Sequence, residues 1–235
     1  MSAIVTPRAP PRIALIHALR DSVAPILGAF EHGWPEAETF NLLDDSLSAA
    51  VAAAGRLTTP IVERFLALGR YAAAAQVGAR ATDAILFTCS AFGPAIEAVQ
   101  ADCTIPVLKP NEAAFAAALE RGRRIALLVT FAPSLDPLTA ELRDMAARRG
   151  QTCDLRGVLV AGALRALQSG RADEHDAAIA AAAAALVDHD VVVLGQFSMA
   201  RARAAMPPPL QGRVLSTPDC AVAQLRRQLM TDEPA

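Results

Sequence analysis

Short uninterrupted apolar runs alternate along this chain with longer stretches in which apolar residues recur every three or four positions. Runs of the first kind predict strands covered on both faces, and the second kind predicts helices with one buried stripe. The predicted strands are Arg12–His17, Glu38–Leu43, Ala84–Thr88, Ile105–Leu108, Arg124–Thr130, Thr152–Val160, Val191–Gly195 and Arg213–Ser216. Helical patterns fall at Pro60–Val77, Asn111–Arg121, Pro137–Arg149, Glu174–Val187 and Ala221–Met230, with another helix starting near Gly93 or Pro94. This alternation predicts an α/β fold with parallel sheets.

The pattern also repeats. "RIALIHALRDS" from Arg12 returns as "RIALLVTFAPS" from Arg124, "DAILFTCSAF" from Asp83 as "DVVVLGQFSM" from Asp190, and "PVLKPNEAA" from Pro106 as "RVLSTPDCA" from Arg213. Apolar strands resemble one another by chance, but three echoes in one order at nearly one spacing suggest a duplication. The expectation is two similar lobes, each a mainly parallel sheet flanked by helices, related by a pseudo-two-fold with the active site in the cleft between them. Residues 1–108 with a returning 215–235 would form one lobe and 109–214 the other. Open α/β sheets bind ligands beyond the carboxyl ends of their strands, which the cleft would bring together.

Composition narrows the function classes. A chain of 235 residues that is 53% hydrophobic can bury a large core, and its longest apolar run, Ala177–Val187, is too short to span a bilayer. No membrane segment is expected. Pro7, Pro10 and Pro11 precede the first apolar stretch in place of the basic segment of a signal peptide, which points to the cytoplasm. A net charge of −2 and only 4% aromatic residues offer neither a basic stripe nor a stacking platform, so nucleic acid is not an expected partner. The four cysteines show no CxxC spacing and read as reduced thiols. His175, His189 and the acids Asp188 and Asp190 sit at opposite ends of one Ala-rich helix, so no metal is assigned. No G-x-G-x-x-G or P-loop motif indicates a nucleotide cofactor. Asn111 and Glu112 read as N-cap and first-turn acid of the helix that follows.

The candidate chemistry lies in "FTCSAFGP", residues 87–94, where Cys89 ends an apolar strand. The duplication puts Gln196, in "VVLGQFSMA", at the equivalent place in the second half. The two-lobed order and these two strand ends make the chain similar to the aspartate/glutamate racemase superfamily, which includes hydantoin racemases, maleate isomerases and arylmalonate decarboxylase. The resemblance runs from Arg12 to Met230. Cys89 stands where the family has its first Cys-Asn-Thr motif, and Gln196 where it has Gly-Cys-Thr-His.

The resemblance implies a catalyst without a cofactor, acting at the α-carbon of a small carboxylate. The racemases use a cysteine from each lobe, one removing the α-proton and the other delivering one to the opposite face. Gln196 has no usable pKa near neutrality and can only orient a substrate. His17-Ala18 stands where amino-acid racemases have Asp-Ser. A helix N-terminus after Cys89 would lower its pKa, with the Ser90 and Ala91 N–H groups binding a carboxylate oxygen. Thr130 matches a substrate-binding threonine of the family, and Ser134 follows one turn later. Ser198 and His17 are candidates to move a proton through water, with Phe92, Phe131 and Phe197 near the same strand ends. Racemisation or isomerisation is the first expectation. Decarboxylation of a disubstituted malonate, which needs one proton donor, is an alternative, as is a binding protein that has lost activity. Arylmalonate decarboxylase also has a single active-site cysteine, but on the other lobe. Lobed enzymes of this kind often dimerise, so a homodimer is an open expectation.

Overall fold

A computed structural model describes residues 9–231. The first half runs β1 (Arg12–His17), α1 (Val23–Gly33), β2 (Glu38–Leu43), α2 (Ser46–Ala54), α3 (Thr59–Ala74), β3 (Ala84–Phe87), α4 (Gly93–Asp102) and β4 (Val107–Leu108). After α5 (Glu112–Arg121), the second half runs β5 (Arg124–Val129), α6 (Leu135–Arg148), β6 (Asp154–Leu159), α7 (Ala163–Gln168), α8 (Ala172–Ala184), β7 (Val191–Leu194), α9 (Pro208–Gln211), β8 (Val214–Ser216) and α10 (Thr217–Thr231). A 3-10 segment, Phe197–Ala205, follows β7. Among the described residues, no helix is long and apolar enough to cross a membrane.

The strands form two four-stranded, all-parallel sheets ordered β2-β1-β3-β4 and β6-β5-β7-β8. Their registers match position for position: Ile13 pairs with Ala84 as Ile125 pairs with Val191, and Ile85 with Val107 as Val192 with Val214. The strand starts match too, because the Asp83 carboxylate accepts from the Arg12 N–H as the Asp190 carboxylate does from the Arg124 N–H. The sequence echoes are therefore structural equivalences.

Burial explains the strand patterns. Central strands β1, β3 and β7 are buried at every residue, and β5 at all but Arg124, so both faces must be apolar. Edge strands β2 and β6 carry Glu38, Asn41, Asp154 and Arg156, polar groups that discourage further strand pairing. In the first sheet Ala14, Ile16, Ile85 and Phe87 face the α2, α3 and α4 side, while Ile13, Leu15, Ala84 and Leu86 face α1 and α10. The helices after the last strands exchange lobes. Phe115 and Ala118 of α5 pack on β5 and β7, while Val222 and Leu225 of α10 pack on β1 and β3. Each sheet's second face is thus closed by a helix that follows the other lobe's sheet or precedes its own, which clamps the halves together.

Several element boundaries differ from the sequence expectation. The helix expected over 60–77 ends at Ala74, because Val77 and Arg80 bridge across a turn with Gly78 at φ 61°. The helix expected from Ala221 begins at Thr217, with Pro218 in its first turn, where a missing N–H costs nothing. β4 holds two residues rather than four.

Close packing of α3 on α4 depends on Gly69, where a Cβ would overlap Val99 Cγ1. Gly69→Ala is therefore expected to destabilise the fold by about 1–3 kcal/mol, as overpacking does. Gly28→Ala in α1, where a Cβ meets nothing within 4 Å, is expected to stabilise by about 0.5–1 kcal/mol. Urea midpoints of the two variants measure both.

Candidate active site between the lobes

Parallel strands leave their last carbonyl and amide groups unpaired at the carboxyl end, where the chain turns into a helix. At two such ends a side chain from one central strand's exit reaches the first amide beyond its neighbour. In the first half, the Cys89 thiol lies against the Ala18 backbone N–H and the hydroxyls of Ser22 and Thr88. In the second half, Gln196 Oε1 accepts from the Thr130 N–H at 2.6 Å, the Thr130 hydroxyl at 2.7 Å and the Phe131 N–H at 3.2 Å. Ala18 and Thr130 are equivalent in the repeat, as are Ser22 and Ser134, and Cys89 and Gln196.

Local packing aims these groups. Cys89 leaves β3 in extended conformation (φ −116°, ψ 120°) and is followed by the 3-10 turn Ser90–Phe92 and then α4. Phe92 anchors that turn, its ring 4.7 Å from Phe65, which also stacks on Phe87 at 5.3 Å. Gln196 leaves β7 in the same conformation (φ −137°, ψ 143°), and Phe197 beyond it is buried against the first lobe's sheet. Asn111, expected to cap α5, has its side chain buried instead and donates from Nδ2 to the Gly195 carbonyl at 2.8 Å, holding the residue before Gln196.

A cavity of about 80 Å³ lies between these strand ends, room for a compact ligand rather than a single water. Cys89, Ser90, Ala91, Ser134, Gln196, Phe197 and Ser198 line it, so the structure brings seven of the expected site residues together. Phe92 and Phe131 supply part of its apolar wall. Ser22, Ser48, Thr88, Leu164 and Gln168 also line it and were not expected. Ser22 had a signal, since it closes "RIALIHALRDS" as Ser134 closes "RIALLVTFAPS". Leu164 and Gln168 belong to α7, which enters from a turn with Gly162 at φ 81° and carried no motif.

Three expectations need correction. Thr130 does not line the cavity, and its N–H and hydroxyl are already engaged by Gln196, so it positions Gln196 rather than meeting a ligand. His17 is fully buried behind Thr88 rather than facing the cleft. Its Nε2 donates to Asn41 Oδ1 at 2.9 Å, so the neutral ring accepts at Nδ1 from the Thr88 hydroxyl at 2.8 Å. Burial holds its pKa below the ordinary histidine value despite the Asn41 contact. The third correction concerns acidity: burial pushes the Cys89 thiol up to about 11, outweighing the Ala18, Ser22 and Thr88 contacts. With the Thr88 hydrogen directed at His17 and the Ser22 hydrogen donated to the Leu19 carbonyl at 2.7 Å, two of the three donors around the sulfur are committed elsewhere.

His175 is buried in α8 between the Ala163 and Ser198 carbonyls, with Nδ1 at 2.8 Å and Nε2 at 3.4 Å. A neutral ring has one N–H, which goes to the nearer Ala163 carbonyl, so its other edge only packs against Ser198.

The same architecture occurs in solved structures at low sequence identity. Allantoin racemase from Klebsiella pneumoniae is 20% identical with a TM-score of 0.64, over 94% of this chain and 88% of that one. Glutamate racemase RacE1 from Bacillus anthracis is 12% identical with a TM-score of 0.68, over 95% and 83%. Aspartate racemase from Picrophilus torridus is 10% identical with a TM-score of 0.66, over 93% and 94%. No curated protein matches the sequence significantly. A family model described as Asp/Glu/Hydantoin racemase matches residues 3–225, and with nearly the whole length covered the chain belongs to that family.

Proposed function

We propose that this protein is a cofactor-independent racemase or isomerase that moves a proton at the carbon next to a carboxylate, with Cys89 as the proton-transferring group. One observation carries the reading. Among the residues lining the cavity, Cys89 is the only side chain with a usable pKa, the rest being hydroxyls, amides and apolar groups.

In the deprotonation direction, the Cys89 thiolate takes the α-hydrogen and becomes a thiol, and the electron pair moves into the carboxylate as an enediolate. The Ser134 hydroxyl, buried without a partner among the described residues, and the Gln196 amide are placed to donate to the developing oxyanion. Return of a proton to the same face restores the substrate. Inversion requires delivery to the opposite face, where Cys89 is not matched by a second lining thiol; in this reading water held by the Ser134 and Ser198 hydroxyls gives the proton, and the hydroxide it becomes takes the proton from the Cys89 thiol, restoring the thiolate.

A second reading is decarboxylation of a disubstituted malonate, and the state of the thiol favours it. A thiol with a pKa of about 11 is protonated at neutral pH. Ionising it at pH 7 costs about 5 kcal/mol, at 1.36 kcal/mol per pH unit. That cost falls on a reaction that starts from thiolate and not on one that starts from thiol. Carbon dioxide leaves, its bonding electrons form the enediolate, the Cys89 thiol protonates the carbon, and water reprotonates the sulfur.

Proton NMR in D2O with α-amino acids, hydantoins, maleate and aryl- or alkylmalonates tests the function. Wild type is expected to exchange Cα–H for deuterium or convert isomers, with Cys89→Ala reduced by about 100-fold or more, the loss of a general acid–base group. Release of carbon dioxide would select the second reading, and equal turnover by Cys89→Ala would overturn both. The pH dependence of Cys89 alkylation by iodoacetamide, followed by mass spectrometry, is expected to climb without a plateau through pH 9, toward the pKa of about 11. A plateau near pH 8 would contradict a desolvated, protonated thiol.

A further inference from the structure

We infer that Gln196 is a fixed hydrogen-bond donor facing Cys89, and that it selects a ligand with an acceptor oxygen at that point while rejecting one with an ammonium group on the α-carbon. This rests on the reading of the cleft as the substrate site and adds a substrate class to it.

An amide side chain can ordinarily present either end to a ligand, and its two ends differ little in shape. Here the choice is fixed by neighbours whose hydrogen-bonding sense is not in doubt. The Thr130 and Phe131 backbone N–H groups can only donate, and both point at one Gln196 terminal atom, at 2.6 and 3.2 Å. Only the oxygen satisfies them, because an NH2 group in that place would set donor against donor. The Thr130 hydroxyl at 2.7 Å adds a third bond to the same oxygen. Turning the amide over would break all three in a half-buried setting and leave two backbone donors unpaired. The NH2 end therefore stays toward the cavity as a donor.

The rest of the wall agrees. None of the side chains lining the cavity is a carboxylate, so no fixed anion there pairs with an ammonium. Of the carboxylates in the neighbouring cavity beyond Ser90 and Ala91, Glu97 and the half-buried Glu141 are already paired with Lys109, at 2.8 and 3.1 Å. Ser134, unpartnered, is a second group that a carboxylate oxygen would satisfy. The ligand class is thus a small α-substituted carboxylate, or a carbonyl compound, without an α-amino group.

Isobutyrate and alanine test this as a matched pair, since they differ at the α-carbon only by methyl against ammonium. Titrations of 15N-labelled protein are to be followed at the Gln196 side-chain NH2 resonance, assigned with Gln196→Met. Isobutyrate is expected to bind at least about tenfold more tightly than alanine and to shift that resonance. Gln196→Glu keeps an oxygen for the Thr130 and Phe131 donors but turns a negative oxygen toward the cavity. It is expected to reverse the preference, weakening isobutyrate by about tenfold or more and strengthening alanine. Equal binding of the two ligands in wild type, no binding of isobutyrate, or an unchanged preference in Gln196→Glu would each overturn the inference. The same titration in Cys89→Ala reads binding without turnover. Discrimination there with no catalysis in wild type would leave the donor role standing and remove only the enzymatic reading.

Discussion

The contact between a strand-end side chain and the first free amide of the neighbouring strand is the constraint on which this cleft depends. Sulfur meets the Ala18 N–H in one lobe and an amide oxygen meets the Thr130 N–H in the other. The Gln196 contact satisfies a backbone donor that the parallel ladder leaves exposed, and the sulfur sits beside the equivalent donor in the first lobe; an unpaired buried donor would cost about 1–3 kcal/mol. The same geometry that completes the fold thus delivers a side chain to the cleft wall. What differs between the lobes is chemistry: the first side chain can exchange a proton, while the second has its oxygen held inward and its N–H groups outward.

Holding those two ends opposite each other is the work of the exchanged helices. With α5 on the second sheet and α10 on the first, neither half can rotate freely without uncovering Phe115 or Leu225. Phe197 and Asn111 extend the same logic into the site, the one buried in the first lobe's core and the other bonded to Gly195. Cys89 packs on the apolar cluster of Phe92 and Phe65, and the resulting desolvation outweighs the contacts that would make the sulfur acidic.

Much of this was legible in the sequence because central parallel strands buried on both faces leave continuous apolar runs, as β1, β3, β5 and β7 do, while the edge strands β2 and β6 mix polar and apolar residues. The repeat made Cys89 and Gln196 equivalent before any coordinates and would have paired Ser22 with Ser134. Helices α1, α2 and α7 were not legible. The first buries Ile26, Ala29 and Phe30 on one face, but Pro25 and Gly28 interrupt its helical signal; the second is mostly Ala and Ser, and the third is only six residues long. The role of His17 was misread for a related reason. Strand-end position alone does not tell which way a side chain points, and this one turns inward to Asn41 and Thr88 rather than into the cleft. Nor could sequence show that Thr130 is already bonded to Gln196, which depends on the β5–β7 register and on the orientation of one amide.

A crystal structure with isobutyrate bound would test the account most directly. The account predicts a carboxylate oxygen on Gln196 Nε2, with the α-carbon about 3.5 Å from Cys89 Sγ, close enough for proton transfer. A ligand seated instead beside Lys109 and Arg148 in the neighbouring cavity, or a Gln196 side chain withdrawn from Thr130, would contradict it.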